Sequence, residues 1–336
     1  MNPDIPITDV SQFPGFSIAH YTDAEHGTGC TVVVCPDGAT GAVDVRGGAP
    51  ATRETDLLRP EETVDVVHAV VLSGGSAFGL AASTGVAEEL ERRGIGLDVK
   101  VAKVPIVTGA CLFDLAFADP SVRPSAADGA AATAAALDHA PAPLPQGNVG
   151  AGTGCTVGKL GGPALAMKGG LGSSVCRAGA LACGAVAAVN ACGNVYDPKT
   201  HEPIAGMRSA DGSGTIVDEC ELALNMAATM PLGNGTTPPQ PRTNTTISCV
   251  ITNAKLTKAQ ATKVAHMAAD AYAHAIRPVH TTNDGDTVFV LATGEQEYPV
   301  DVVGILATKA LEEALANGCR HAQTLHGVPG AAGGAA

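Results

Sequence analysis

Pro241-Arg242-Thr243-Asn244-Thr245-Thr246-Ile247-Ser248-Cys249-Val250-Ile251-Thr252-Asn253 passes from loop to strand within a few residues. It follows Gly233-Asn234-Gly235-Thr236-Thr237-Pro238-Pro239-Gln240, a segment too polar and too rich in proline and glycine to be a core element. Residues 245–252 are then a mostly β-branched run that reads as a buried strand. Thr245 therefore opens a strand directly after an exposed loop. A hydroxyl in that place becomes an N-terminal nucleophile if the bond before it is cut, with the freed α-amine as its base. Two threonines opening an ordinary strand is the plainer reading, because Thr is a common strand former, and the stretch taken alone favours it.

Downstream, residues 257–276 read as an amphipathic helix with Val264, Met267, Ala268, Ala271 and Ala275 on one face, ended by Pro278. His280-Thr281-Thr282-Asn283-Asp284-Gly285-Asp286-Thr287 is a turn with two carboxylates, leading into a strand at 288–292 and a last helix at 300–316. The Gly/Ala tail, 327–336, is expected to be flexible. Upstream, 175–180 and 182–190 read as paired strands in a glycine-rich third of the chain, where Lys159, Arg177 and Asn190 are polar exceptions. A polar side chain buried in such a run must find hydrogen bonds, so each is a structural anchor or part of a site. Residues 197–244 read as a linker-like stretch with a short helix at 218–230.

Nearer the N-terminus, strands are expected at 16–21 and 29–34, a turn at Pro36-Asp37-Gly38, and a further strand at 41–46. Arg46-Gly47-Gly48-Ala49-Pro50-Ala51-Thr52-Arg53-Glu54-Thr55-Asp56 reads either as a surface loop with solvated ion pairs or as a loop shaping a site. An apolar strand at 64–72 carries His68, read as a satisfied core histidine, and runs into Ser73-Gly74-Gly75-Ser76-Ala77-Phe78-Gly79-Leu80 at the head of a helix at 77–93. This resembles a phosphate cradle only superficially, since neither a full GxGxxG nor a Walker lysine is present; the glycines read as close packing of helix on sheet. Another strand is expected at 99–107, and a helix at 125–137 with Ser125 as N-cap. Strands and helices in this order fit stacked sheets covered by helices.

With 336 residues the chain can bury a large core. Its apolar fraction is 45% but aromatics make up only 3%, and with 41 Gly the interior must be built from Ala, Val, Leu and Gly at close backbone approach. The net charge of −13 comes without any Lys/Arg-rich run, which argues against nucleic acid as a partner and suits a soluble protein or one receiving cationic substrates. Ten cysteines contain no CxxC pair, so they read as reduced, buried small hydrophobes. The N-terminus lacks a signal pattern and no segment reaches about 18 uninterrupted apolar residues, which leads to the expectation of a cytoplasmic protein with no membrane partner.

Taken together, the Asn-Thr-Thr at 244–246, the Asp-Gly-Asp-Thr turn at 284–287, the Arg-Gly-Gly-Ala-Pro-Ala-Thr-Arg-Glu-Thr-Asp loop at 46–56 and the Ser-Gly-Gly-Ser-Ala-Phe-Gly-Leu start at 73–80 form an ordered set. The chain resembles the DmpA-like family of L-aminopeptidase/D-esterases, β-peptidyl aminopeptidases and nylon-oligomer (6-aminohexanoate) endohydrolases over residues 9–308. The resemblance implies an α+β, four-layer αββα sandwich of the Ntn-hydrolase kind, with one domain at 1–326. It also implies self-cleavage between Asn244 and Thr245 into an α chain, 1–244, and a β chain, 245–336, with assembly of αβ units into a homo-oligomer and no cofactor or metal. By the same resemblance Thr245 is the nucleophile, Asn190 the oxyanion donor, Lys159 a support for the nucleophile, and Asp284 and Asp286 an acidic pair orienting the Thr245 amine and hydroxyl.

Read without the resemblance, Asp-Gly-Asp is a solvated turn and Lys159 a surface charge. Thr245, Asp284 and Asp286 follow the nylon-oligomer branch; the family's aminopeptidases carry Ser as nucleophile, with Ser and Glu in place of the acids. Phe113 stands where that branch has Tyr, so a hydroxyl is missing there. The expected substrate is a small peptide, an amino-acid amide or an oligomer. The alternatives are an acyltransferase of the glutamate N-acetyltransferase type and an uncleaved, non-catalytic homologue.

Overall fold

A computed structural model describes residues 7–229 and 244–333. The loop expected at 233–240, residues 241–243, and the last three residues of the expected tail lie outside the described residues. In chain order the main elements are β1 (Ser17–Asp23), β2 (Thr28–Val45), β3 (Val67–Ser73), α1 (Ala81–Arg92), β4 (Val107–Cys111) and α2 (Ala126–Asp138). They continue with β5 (Leu171–Ala178), β6 (Leu181–Asn190), α3 (Glu219–Thr229), β7 (Thr245–Ala254), α4 (Lys258–Ala268), α5 (Asp270–Ala275), β8 (Thr287–Gln296) and α6 (Val300–Arg320).

The 18-residue strand β2 belongs to two sheets. Its first half pairs antiparallel with β1 and β3, placing Val33 opposite both Ile18 and Val70. Its second half pairs antiparallel with β8, placing Val43 opposite Phe289. Between them the register against β3 shifts from Val34 to Ala39. Pro36-Asp37-Gly38 is therefore not the expected turn between two strands but a bulge at which one strand crosses from sheet to sheet. Gly38 takes φ 81°, a conformation glycine adopts without steric cost.

One sheet comprises β1, β2, β3, β4 and the two-residue strand Thr52–Arg53; the other runs β5-β6-β7-β8-β2. The parallel pairs, β3 with β4 and β7 with β8, are the ones joined by helical crossovers, as parallel strands require. The sheets face each other across a core that includes Val33, Val70 and Leu72 on one side and Val186, Ile247, Ile251 and Phe289 on the other. Outside the first sheet, Ala82, Val86 and Leu90 of α1 and Ala132 of α2 cover Val32 and Val71. Outside the second, Val264 of α4, Tyr272 of α5 and Leu311 of α6 cover Ala185, Ala187 and Val250. The layers are thus α, β, β, α. Both faces of β7 are buried, which is why its sequence is a continuous β-branched run rather than an alternation.

The small residues have a packing role. An added Cβ on Gly172 would lie 2.0 Å from the Ala314 carbonyl oxygen, so only glycine lets α6 settle this close to β5. Ser125 caps α2 in a reciprocal box with Asp128, and Thr257 does the same for α4 with Gln260, each contributing about 1 kcal/mol. His68 is buried and accepts from Ile106 N at 3.1 Å, as expected of a core histidine.

Other expectations are corrected. The strand placed at 99–107 is a small exposed hairpin, Leu97–Asp98 with Lys103–Val104, and the buried strand is β4; Val101 in the hairpin is 92% exposed. Arg177 is exposed rather than buried. The helix at 257–276 is two helices, α4 and α5. Within the tail, Pro329 O accepts from Lys168 N at 2.8 Å and Ala332 N donates to Ala322 O at 3.0 Å. Among the described residues no helix is long and apolar enough to cross a membrane.

Candidate active site

Thr245 is the first residue of β7, and its side chain shares a face with Ile247, Cys249 and Ile251, so it lies between the two sheets at one end of the core. Asn190, the last residue of β6, is its Cα partner across the antiparallel pair. The same alternation that sends Val186 and Ala188 inward sends Asn190 inward. Lys159 arrives on a loop tied to the residues after β6, with Lys159 N donating to Cys192 O at 2.8 Å. Its ammonium donates to Asn190 Oδ1 at 2.7 Å and to Asn190 O at 3.0 Å. Asn190 Oδ1 also accepts from Thr156 N at 3.0 Å, and its amide donates to Phe113 O at 2.8 Å. Burial lowers the Lys159 amine to about 8.

The acidic turn closes the other side. Asn244 bridges Asp284, and Gly285 N donates to the Asn244 carbonyl oxygen at 3.2 Å. The Thr245 hydroxyl donates to that same carbonyl oxygen. Asp284 and Asp286 are 1% and 2% exposed, so the solvated-turn reading does not hold. Asp284 Oδ2 accepts from Thr281 N at 2.7 Å and Thr281 Oγ1 at 2.6 Å. Asp286 Oδ1 accepts from Thr246 N at 2.7 Å, and its Oδ2 from His280 N at 3.1 Å and His280 Nδ1 at 2.9 Å. Burial, and then the adjacent charge of Asp286, push the Asp284 carboxyl above its ordinary value.

The Arg46–Asp56 loop buttresses this turn: Arg46 N donates to Asp286 O at 3.0 Å and Ala49 N to Asp284 O at 2.7 Å. Pro50 and Ala51 of that loop, Ser76 and Ala77 ahead of α1, and Phe113 surround a cleft of about 250 Å³ that reaches Asn244 and Thr245. The glycine-rich stretch at 73–80 is thus a wall of the cleft, and the Arg46 loop shapes a site. On the far side of Phe113 a cavity of about 550 Å³ is lined by Phe117, Thr156, Lys159, Leu160 and Pro163.

All six residues singled out from the sequence (Asn244, Thr245, Asn190, Lys159, Asp284, Asp286) meet here. Four others had gone unnoticed. Gly285 supplies the N–H to the Asn244 carbonyl, and His280 and Tyr272 surround Asp286 and Thr246. Glu219, fully buried at the start of α3, accepts from Leu160 N at 2.8 Å beside Lys159, and burial raises its carboxyl to about 7. Gly285 and His280 lay within the turn already marked by its acids; nothing in the polar stretch at 197–244 distinguishes Glu219 from solvated neighbours.

Residues 6–332 match the model of peptidase family S58. An uncharacterised aminopeptidase of Mycobacterium tuberculosis is 41% identical over 354 aligned positions, covering 96% of each chain. A 6-aminohexanoate-oligomer endohydrolase of Paenarthrobacter ureafaciens is 31% identical, covering 85% of this chain and 75% of that one. Among solved structures, the L-aminopeptidase D-Ala-esterase/amidase of Ochrobactrum anthropi, described as a variant of the Ntn-hydrolase fold, superimposes with a TM-score of 0.66 at 18% identity, covering 97% of this chain and 90% of that one.

Proposed function

The chain belongs to peptidase family S58 and is a hydrolase of peptide or amide bonds, and from that premise we propose that it processes itself at Asn244–Thr245 and works through Thr245 as N-terminal nucleophile. The observation that carries this reading is the convergence of two groups on one carbonyl: the Thr245 hydroxyl and the Gly285 N–H both reach the Asn244 C=O.

In the first step Thr245 Oγ adds to the Asn244 carbonyl carbon. Its proton passes to the Thr245 nitrogen as the C–N bond breaks, leaving an ester on Oγ and a free α-amine. Water then hydrolyses the ester, releasing the Asn244 carboxylate and restoring the hydroxyl. The developing oxyanion is stabilised by Gly285 N–H, a fixed donor at a largely buried bond; one such donor contributes on the order of 10²–10³ in rate. After cleavage the α-amine, with an ordinary pKa of about 7.7–8.0, is the base for Thr245 Oγ toward substrate amides. Asp284, whose carboxyl is pushed above its ordinary value by burial and by Asp286, and Asp286, which holds Thr246 N, are the acids that the turn brings up to the strand start at Thr245. Lys159 fixes the Asn190 amide beside the nucleophile.

Because β7 lies between β6 and β8 within the second sheet, the two chains stay paired after the cut. The relatives named above point to amino-terminal peptides and ω-amino-acid oligomers as the two substrate classes to assay. N-terminal sequencing of the purified protein tests the reading: a fragment beginning Thr-Thr-Ile-Ser is expected, and a single full-length chain contradicts it. Assaying acetyl transfer beside amide hydrolysis on the processed protein separates this reading from an acyltransferase.

A further inference from the structure

We propose that His280 is a positioning residue that fixes Asp286, and through it the backbone on the C-terminal side of Thr245, for amide cleavage; this rests on the reading of Thr245 as nucleophile. Asp286 spans two partners. Oδ1 takes the Thr246 N–H, which belongs to the peptide unit joining Thr245 to Thr246, and Oδ2 takes both the backbone N–H and Nδ1 of His280. Since a carboxylate oxygen accepts, Nδ1 carries a proton and donates it.

The ring is placed with care by the rest of the fold. It stacks on Tyr272, with centroids 5.6 Å apart and planes at 23°. Tyr272 is fully buried, and its hydroxyl lies 3.2 Å from Thr246 O and 3.1 Å from Thr287 O. His280 and Tyr272 together thus control both the N–H and the C=O of Thr246, the residue that orients Thr245. His280 holds this place at φ 55°, a backbone region that few non-glycine residues adopt.

A packing role alone does not account for an imidazole here. Nε2 is buried and has no hydrogen-bond partner among the described residues. A phenyl ring would fill the same space and keep the stack on Tyr272 without burying an orphaned nitrogen. What only the imidazole supplies is the Nδ1–H to Asp286. The unfavourable backbone and the orphaned atom are tolerated for that bond.

The test compares His280→Phe, which keeps the ring and loses the donor, with His280→Asn, whose amide places a donor near the Nδ1 position and whose backbone tolerates positive φ. Processing at Asn244–Thr245 is followed on denaturing gels during refolding, and amide hydrolysis on the processed fraction. The expected result is a His280→Phe variant with a parental circular-dichroism spectrum, processing slowed 10- to 100-fold, and kcat lowered at unchanged KM. His280→Asn recovers most of both rates. In an Asp286→Asn background, His280→Phe adds no further loss. Should His280→Phe fail to fold, His280→Ala replaces it with the same expectations. Parental rates in the donor-less variant, no recovery in His280→Asn, or losses that multiply with Asp286→Asn would each overturn the role of His280. A parent protein that never cuts at Asn244–Thr245 overturns the nucleophile reading, and this proposal with it; a parent that cuts no faster than His280→Phe overturns only this one.

Discussion

The space beside Gly285 belongs to Thr245: a Cβ at position 285 would stand 2.9 Å from Thr245 Oγ1 and 3.0 Å from the Ala49 carbonyl oxygen. The glycine between the two acids is therefore a steric requirement of the hydroxyl, and its N–H is at the same time the donor to the Asn244 carbonyl. Gly285→Ala is expected to fold, because only one methyl is added at the rim of the core, but to displace Oγ by several tenths of an ångström. Processing should slow by roughly 10²-fold, the scale of a small misplacement in a positioned reaction. A time course on denaturing gels measures it, and processing at the parental rate would refute the steric claim.

Lys159 holds the side chain and carbonyl of Asn190 with two hydrogen bonds. Lys159→Met keeps the length of the stem and removes both donors. Hydrogen bonds involving a charged group are worth about 1.5–3 kcal/mol, so if they hold Asn190 for the reaction, processing and turnover measured below the variant's melting temperature should fall roughly 10- to 100-fold. Lys159→Arg should not restore activity, since a planar fork does not fit where a compact ammonium meets two oxygens of one residue. Steady-state kinetics on processed protein checks both variants.

The layered fold class was legible, while the strand boundaries were less so, and for a physical reason. Asn190 carries a polar group into an apolar run and stands out because burial demands partners for it, whereas Thr245 and the acidic turn read as an ordinary strand start and a solvated turn until they are taken together with the other motifs. The helix caps at Ser125 and Thr257 are local devices, and Ser125 was visible as one. The continuity of β2 was hidden because Asp37-Gly38 carries the same signal in a bulge as in a turn, and only a partner strand on each side tells them apart. The hairpin at Leu97–Val104 alternates valines as a buried strand does, yet exposes them. Glu219 escaped because its partner, Leu160, is distant in sequence, and His280, though inside the marked turn, because its stack on Tyr272 depends on how the chain folds back after α5.

Glu219 makes stability depend on pH. Its folded carboxyl titrates near 7, raised by burial from an ordinary 4.5, so between those values the folded chain holds a proton that the unfolded chain has lost. That contribution is fully present below about pH 4.5 and is lost as pH rises toward 7. Glu219→Gln cannot titrate, so its stability relative to the parent should improve by on the order of 2 kcal/mol between pH 5 and pH 8. Denaturant unfolding of the two proteins at both pH values measures the difference; parallel profiles would contradict it.

Tyr272 clamps neighbouring parallel strands through one hydroxyl, which meets Ser248 Oγ at 2.9 Å as well as the Thr246 and Thr287 carbonyls. Tyr272→Phe leaves these groups buried without that partner. A loss of about 1–3 kcal/mol is expected, with the stacked His280 ring retained. Thermal melts and denaturant midpoints report the loss, and an unchanged midpoint would show that the strands need no clamp.

The central claim is that Thr245 attacks its own chain before it attacks any other. Intact-mass analysis of freshly purified protein, alongside a Thr245→Ala variant, tests this most directly. The expected result is two polypeptides, residues 1–244 and 245–336, in the parent, and one uncut chain without amide-hydrolase activity in the variant. A parent that stays whole, or a variant that still separates directly after Asn244, would contradict the account.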